Sequence, residues 1–500
     1  MLFDSVPFLI FLPAVVVLYF LLPNKFRWIF LLISSYYFYG CWKVEFLLLI
    51  FYSTAVAWFV AFQLEKTEKK NLRKTWLAVG LVSNLGVLFF FKYFNFFVGS
   101  RNYFKAFAAQ HPKVEWVTQL LEYGIPVGIS FFTFQAVGYT LDIYTRTAKA
   151  EKNFFKFALF VSYFPQLVAG PIERFSNLHQ QLFEKHKLLY ENLANGFRLI
   201  LYGLFIKMVI ADNLSPLVDP VFNNPLSYTQ GDNILALFFF SIQIYADFHG
   251  YSMIAIGVAL MMGIKLMDNF KTPYLATSIK EFWSRWHISL STWFRDYLYV
   301  PLGGNKVRYV RWMMNILIIF LVSGIWHGAN YTFIVWGALH GTVYLIEQMV
   351  VRGGFFKTKH YLLTAFGFLK TFFIINIAWL FFRSDTLAKA YLSLSKIFGG
   401  EPSANLYYRI QHAERGRANM DVDAAFLNGN LTPAVMSLNG ILFLVLGILV
   451  ITEIWIQKSR FDVMTQKLNF ALRWSIYAVL IYCVMALSGP DFYQFIYFQF

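Results

Sequence analysis

Two cysteines in 500 residues leave nothing from which to build a disulfide scaffold or a four-cysteine metal site. Cys41 and Cys483 both lie in apolar, aromatic stretches and are expected to fill the core. Charge is also scarce: Asp, Glu, Lys and Arg make up 14% of the chain, against roughly 25% in an ordinary soluble domain. So small a polar supply cannot cover the surfaces of the several soluble domains that this length would otherwise make. Familiar catalytic signatures are missing as well. No serine stands in a GxSxG elbow, no histidine has an aspartate five residues on, and there is no GxxxxGK[ST] phosphate loop or HExxH zinc helix. The opening MLFDSVPFLIFLPAVVVLYFLL has no basic leader and no small-residue cleavage site, so it reads as a first span.

What is present is apolar. Residues of the set AVILMFWYC make up 58% of the chain, in runs of the length a helix needs to cross about 30 Å of hydrocarbon. Spans are predicted near 5–22, 27–42, 45–63, 75–98, 124–144, 193–212, 233–267, 311–328, 331–351, 361–383, 437–457 and 470–488. The pattern predicts an all-α polytopic membrane protein of about 11 to 12 transmembrane helices forming one domain over residues 1–500. The run 233–267 is long enough for two half-spans broken around Asp247, Phe248, His249 and Gly250. The run 153–172, which ends in Pro165, Gly170 and Pro171, suits a re-entrant segment.

The formal net charge of +16 marks cytoplasmic loops rather than a nucleic-acid partner. Lys66, Lys69, Lys70, Arg73 and Lys74 put residues 65–74 inside, which places the N-terminus outside. Residues 268–311 carry seven Lys and Arg against three acids and also belong inside. The polar stretch 384–436 has five bases and five acids, exerts no inward pull, and suits an extracytoplasmic loop. No internal repeat supports a secondary transporter with inverted halves.

Ionisable groups at membrane depth are costly and tend to face a cavity or a partner. Of nine histidines, His249, His287, His327 and His340 sit in or beside apolar runs. His327, in GIWHGA, stands about sixteen residues, roughly 24 Å, from the Arg311 end of its span, toward the outer half of the membrane. Gly324 and Gly328 allow close approach, and Trp326 and Trp336 can wall a narrow cavity. An interhelical hydrogen-bonding role for His327 is the alternative. His287 lies in SIKEFWSRWHISLSTWFRDYLYVPLGGNK, where Trp283, Trp286 and Trp293 alternate with Arg285, Arg295 and Asp296. That segment is either an interfacial amphipathic helix or a wet cytoplasmic mouth attracting a phosphate-bearing donor. Asp247 and His249 either line the same cavity or form a structural pair. Neither His327 with His340 nor His287 with His327 has the spacing of a local metal site, so no metal is expected.

Several long motifs in order, LLISSYYFYGCW, IPVGISFFTFQAVGYTLDIY, YFPQLVAGPIERF, IQIYADFHGYSMIAIG, FWSRWHISLSTWFRDYLYVPLGG, GIWHGA and YQFIYFQF, carry a resemblance over nearly the whole chain. The sequence resembles the membrane-bound O-acyltransferases, in particular the bacterial branch of alginate O-acetylation and teichoic acid D-alanylation. The resemblance implies a ring of helices around a tunnel joining cytoplasmic and outer funnels. The family's invariant histidine matches His327, and its second signature histidine matches His287. Trp283, Trp286, Arg295, Asp296, Trp326, Asp247 and His249 are further candidates for tunnel lining.

The implied reaction moves a short acyl group, acetyl by expectation, from a cytoplasmic thioester to a periplasmic hydroxyl of an exopolysaccharide or cell-wall polymer such as alginate. The donor is acetyl-CoA or another acyl thioester, with no bound cofactor. A neutral imidazole with an unperturbed pKa near 6.5 can take the hydroxyl proton, so His327 is the expected base. His287 positions the donor or stabilises the oxyanion. His340, with no motif around it, is expected to matter least. Implied partners are an envelope-anchored serine esterase-like acetyl-transfer protein, membrane lipids and the polysaccharide acceptor, in the bacterial inner membrane. A flippase or a scaffold of a polysaccharide export complex is the rival reading, and it leaves GIWHGA unexplained.

Overall fold

Each apolar run coils into a helix because a backbone away from water must satisfy its own hydrogen bonds. The computed structural model describes residues 1–93, 126–168, 170–353, 361–399, 446–457, 459–488 and 495–496. Four helices come first, α1 (Val6–Leu21), α2 (Asn24–Gly40), α3 (Phe46–Lys66) and α4 (Lys70–Lys92). The next are α5 (Ile129–Tyr144), α6 (Phe154–Ser162), α7 (Phe164–Leu167) and α8 (Phe175–Phe183). α9 (Tyr190–Leu204) runs through a π-helical segment, Phe205–Ala211, into α10 (Asp212–Asn223). α11 (Gln230–Met261) is followed by the short α12 (Ile279–Arg285) and α13 (Ile288–Phe294), the latter passing into a π turn over Arg295–Tyr299. Then come α14 (Tyr309–His327), α15 (Tyr331–Arg352), α16 (Tyr361–Arg383) and α17 (Leu387–Gly399). α18 (Leu446–Ile456), α19 (Phe461–Gln466) and α20 (Phe470–Leu487) complete the order.

Among the described residues there are no strands, and eight helices are long and apolar enough to span a bilayer, with α1 and α18 as shorter apolar helices. The protein is an all-α polytopic membrane protein. The predicted polar loop 384–436 begins instead with α17, and its remainder from residue 400 lies outside the described residues. In the closing YQFIYFQF only residues 495–496 are described.

α11 is the axis of the molecule. It opens with a capping box, in which Thr229 accepts from the Asp232 amide while the Asp232 carboxylate accepts from the Thr229 amide at 2.9 Å. It runs for 32 residues, and 94% of its most apolar window is buried. The two broken half-spans expected over 233–267 do not form; the helix continues straight through Asp247 and His249. The reason lies on the neighbouring strand of helix: Lys207 Nζ reaches Asp247 Oδ1 at 2.7 Å and Asp212 Oδ1 at 2.6 Å, so the charge of Asp247 is answered without breaking the backbone. Close contact makes this reach available. A Cβ on Gly196 would lie 2.6 Å from the Gly257 carbonyl oxygen, and one on Gly203 would lie 2.7 Å from that of Gly250. Glycines at these two levels let the backbones of α9 and α11 touch, as small residues do between membrane helices.

The remaining runs place the site. α6 and α7 meet at a bend at Tyr163 (φ −50, ψ 110), with α6 buried from Phe157 on and α7 buried throughout. α14 and α15 form a hairpin that is equally tight. A Cβ on Gly324 would collide with the Phe333 carbonyl, and one on Gly337 with that of Phe320. Cys483 is buried as expected, but Cys41 is exposed, because it follows the last turn of α2 rather than facing a neighbour.

Candidate active site

The segment read as either an interfacial helix or a cytoplasmic mouth is broken at Trp286 and His287, and that break is buried. α12 ends at Arg285, and α13 begins at Ile288 after His287 takes a left-handed conformation, φ 44. A non-glycine residue there costs about 1–3 kcal/mol and needs its surroundings to hold it. They do: the Ile288 amide donates to Asn269 O at 2.9 Å, Ser289 Oγ to Asn269 Oδ1 at 2.6 Å, and Asn269 Nδ2 to Ser252 Oγ of α11 at 3.0 Å. Trp286 and His287 are each 1% exposed. The His287 ring stands edge-on to Phe248, 4.7 Å between centroids, and lies 6.1 Å from Trp326. Burial pushes its pKa down to about 3, so the imidazole is neutral at physiological pH and carries one N–H.

His327 is the last residue of α14 and is buried. Its ring is packed edge-on by Trp326 at 4.9 Å, Trp336 at 5.0 Å and Phe382 at 5.1 Å. Trp326 thus packs against both imidazoles. The predicted pair is brought together from α14 and the α12–α13 bend, forty residues apart in sequence.

His340, which had no motif to recommend it, belongs to the same constellation. Its ring is 4.9 Å from Trp336 and 5.0 Å from Trp283, and its Nδ1 accepts a hydrogen bond from Trp283 Nε1 at 3.3 Å. A neutral His340 therefore keeps its proton on Nε2. The available signal was WGALHG, where Trp336 and His340 are four apart and share one helix face. Lys92, at the end of α4, also missed, donates to the Trp326 carbonyl at 2.8 Å.

The other sequence candidates divide. Trp283 packs 5.6 Å from Trp336, and Trp286 packs 4.9 Å from Trp379. Arg295 is 62% exposed and ion-paired at 2.8 Å with Asp296, which also takes Arg174 at 3.0 Å, so both lie in a surface charge cluster. Asp247 turns away to Lys207, and its Oδ2 accepts from the Ile496 amide at 2.6 Å. His249 stacks on Tyr245 at 5.1 Å, its two ring nitrogens without hydrogen-bond partners among the described residues. It lines a cavity of about 290 Å³ with Tyr202, Asp268, Phe270, Lys271 and Arg460, and Asp247 is not part of that lining. Phe270 and Phe248, 5.1 Å apart, separate this cavity from His287.

Two neutral or neutralisable imidazoles, walled by indoles and kept from water, can take a proton from a hydroxyl and offer an N–H to a carbonyl oxygen. The profile of the membrane-bound O-acyltransferase family matches residues 116–383, which contain both histidines. The chain is 39% identical to the probable alginate O-acetylase AlgI of Azotobacter vinelandii, over 80% of this chain and 78% of that one. It is 36% identical to the peptidoglycan O-acetyltransferase of Helicobacter pylori, over 78% of each. A teichoic acid D-alanyltransferase of Streptococcus thermophilus is 32% identical over 48% of this chain and 60% of its own length. Between a transporter or scaffold and an enzyme, which the sequence alone left open, these relationships decide for the enzyme: the chain belongs to the membrane-bound O-acyltransferase family and is a multi-pass membrane acyltransferase.

Proposed function

We propose that the protein transfers an acetyl group from a cytoplasmic thioester to a hydroxyl of an exported polysaccharide on the periplasmic side of the inner membrane. The observation that carries this reading is the packing of His287 and His327, forty residues apart, against one buried indole, Trp326. Neutral His327 removes the hydroxyl proton as the oxygen attacks the thioester carbonyl. The C–S bond then breaks, and the thiolate leaves with the electron pair and is stable enough to need no strong acid. His287, held neutral by burial, donates its N–H to the carbonyl oxygen as negative charge grows there. The relatives named for alginate and peptidoglycan O-acetylation support a polysaccharide acceptor and acetyl as the acyl group. An envelope-anchored serine esterase-like protein receives the acetyl group outside or passes it on.

The test is vectorial. Proteoliposomes are prepared with acetyl-CoA on one side and an oligosaccharide acceptor, with the envelope partner, on the other. A cysteine placed at Lys69 in a Cys41→Ser background, probed with an impermeant thiol reagent, reports which face bears residues 65–74. Ester is expected only when donor meets the face bearing residues 65–74; ester formed only in the opposite arrangement, or none at all, rejects the reading.

The basic segment after α13 supplies a second expectation. If Arg295 draws the phosphates of the donor inward, Arg295→Gln should raise the KM for acetyl-CoA a few-fold, leave kcat near normal, and lose that difference in high salt. Its 62% exposure limits the effect to that size. A KM equal to wild type at low salt assigns Arg295 to the surface ion cluster alone.

A further inference from the structure

α14 stops at His327, and a helix end leaves its last four carbonyls without donors from its own turns. Where water is scarce, such groups must find partners elsewhere. Two of them find α4. Lys92 Nζ donates to Trp326 O at 2.8 Å, and the Tyr93 hydroxyl donates to Ile325 O at 2.7 Å. The Lys92 ammonium also lies 5.6 Å from the centroid of the Trp326 ring. The residue whose indole packs on both His287 and His327 is therefore held both at its carbonyl and at its ring.

An ordinary polar cap would satisfy a carbonyl. Here the donor is a partly buried ammonium, the charge best suited to the negative end of the α14 dipole, and a tyrosine beside it takes the preceding carbonyl. The two adjacent donors fix two successive peptide groups and so the rotation of the last turn about the helix axis. Since Trp326 and His327 extend from that turn, the clamp sets where both rings point. We infer that Lys92 and Tyr93 are positioning residues of the acyl-transfer site, acting through the end of α14 on Trp326 and His327. The inference rests on the proposed transfer reaction.

A misplacement of about 1 Å at a reacting group can cost roughly 10²-fold in rate. Lys92→Met is therefore expected to lower kcat by one to two orders of magnitude on that scale, with the KM for acetyl-CoA changed less than about twofold. Lys92→Arg, which can still donate to the carbonyl, should recover most of kcat. Tyr93→Phe removes one oxygen from a ring that keeps its packing, and should lower kcat by a smaller factor in protein that folds as wild type does. All four proteins are assayed in the same proteoliposomes with acetyl-CoA, and their thermal unfolding in detergent is followed in parallel. Wild-type kcat in Lys92→Met or in Tyr93→Phe overturns the inference. So does a raised KM with kcat unchanged, which would make Lys92 a donor-binding group. Equal losses in the Met and Arg variants that track lowered unfolding temperatures reduce the clamp to structural support and also overturn it. Wild-type protein that transfers no acetyl group at all overturns the proposed function, and this role with it.

Discussion

His327→Ala is expected to abolish acetyl transfer while the protein still inserts and accumulates normally. General-base catalysis by a positioned imidazole is worth about 10² to 10⁴ in rate, and its loss falls on kcat because the proton moves only in the transition state. Alanine in its place leaves a space beside Trp326, Trp336 and Phe382, of which Trp336 and Phe382 keep their own contact at 5.6 Å. His287→Ala should be severely impaired for a different reason, since it removes the N–H next to Trp326 and frees a backbone held at φ 44. His340→Ala is expected to keep much of the activity, because the Nδ1 of His340 is already engaged by Trp283 and a second wall residue, Trp336, stands between it and His327. Acetylated polymer in cells and ester formed in proteoliposomes measure all three. Near-normal acetylation by His327→Ala protein would make the histidine structural and remove the chemical basis of the proposed mechanism.

Lys207→Met should be the most destabilising single change in the α9–α11 axis. The ammonium side chain is 1% exposed and lies 2.6 Å from Asp212 and 2.7 Å from Asp247. Methionine keeps much of the volume but leaves two carboxylates facing each other in a setting that cannot hydrate them, with Asp4 close by at the hydroxyl of Tyr251. Removing one partner of a buried ion pair typically costs about 3–5 kcal/mol. The expected readout is a marked fall in folded yield and in unfolding temperature. Adding Asp247→Asn to Lys207→Met should return part of the loss, because one of the stranded charges is gone. A Lys207→Met protein that unfolds at the wild-type temperature would show that the carboxylates are neutral or hydrated without the lysine.

The parts of this structure that were legible in the sequence are those governed by local pattern. The runs near 75–98 and 311–328, which became the helices Lys70–Lys92 and Tyr309–His327, declare themselves because lipid imposes a length and a polarity on each helix separately. GIWHGA drew attention to His327 through Gly324, Gly328 and Trp326, while His287 stood out by the tryptophans at 283, 286 and 293 and by the family resemblance of RWHISLS. What was hidden depends on contacts between distant segments. Asp247 looked like a break in a span because its compensating charge, Lys207, is on another helix. His340 looked incidental because Trp283, which binds it, comes from the preceding polar segment. Lys92 lay inside the predicted span 75–98 with no visible use until α14 supplied the carbonyl it meets. The bend at His287 was obscured by amphipathic composition, which describes a surface helix well and says nothing of a left-handed residue in its middle.

The glycine contacts between α9 and α11 bear on how a membrane can be worked across without being opened. At Gly196 against Gly257 and Gly203 against Gly250 the two backbones meet with no side chain to act as a bearing, so neither helix can slide along the other without driving a carbonyl into its neighbour. Rocking machines that carry whole solutes need such surfaces to shear. An axis closed in this way suits a fixed partition, and under the proposed reaction only the small acyl group would have to pass while the two helices keep their register.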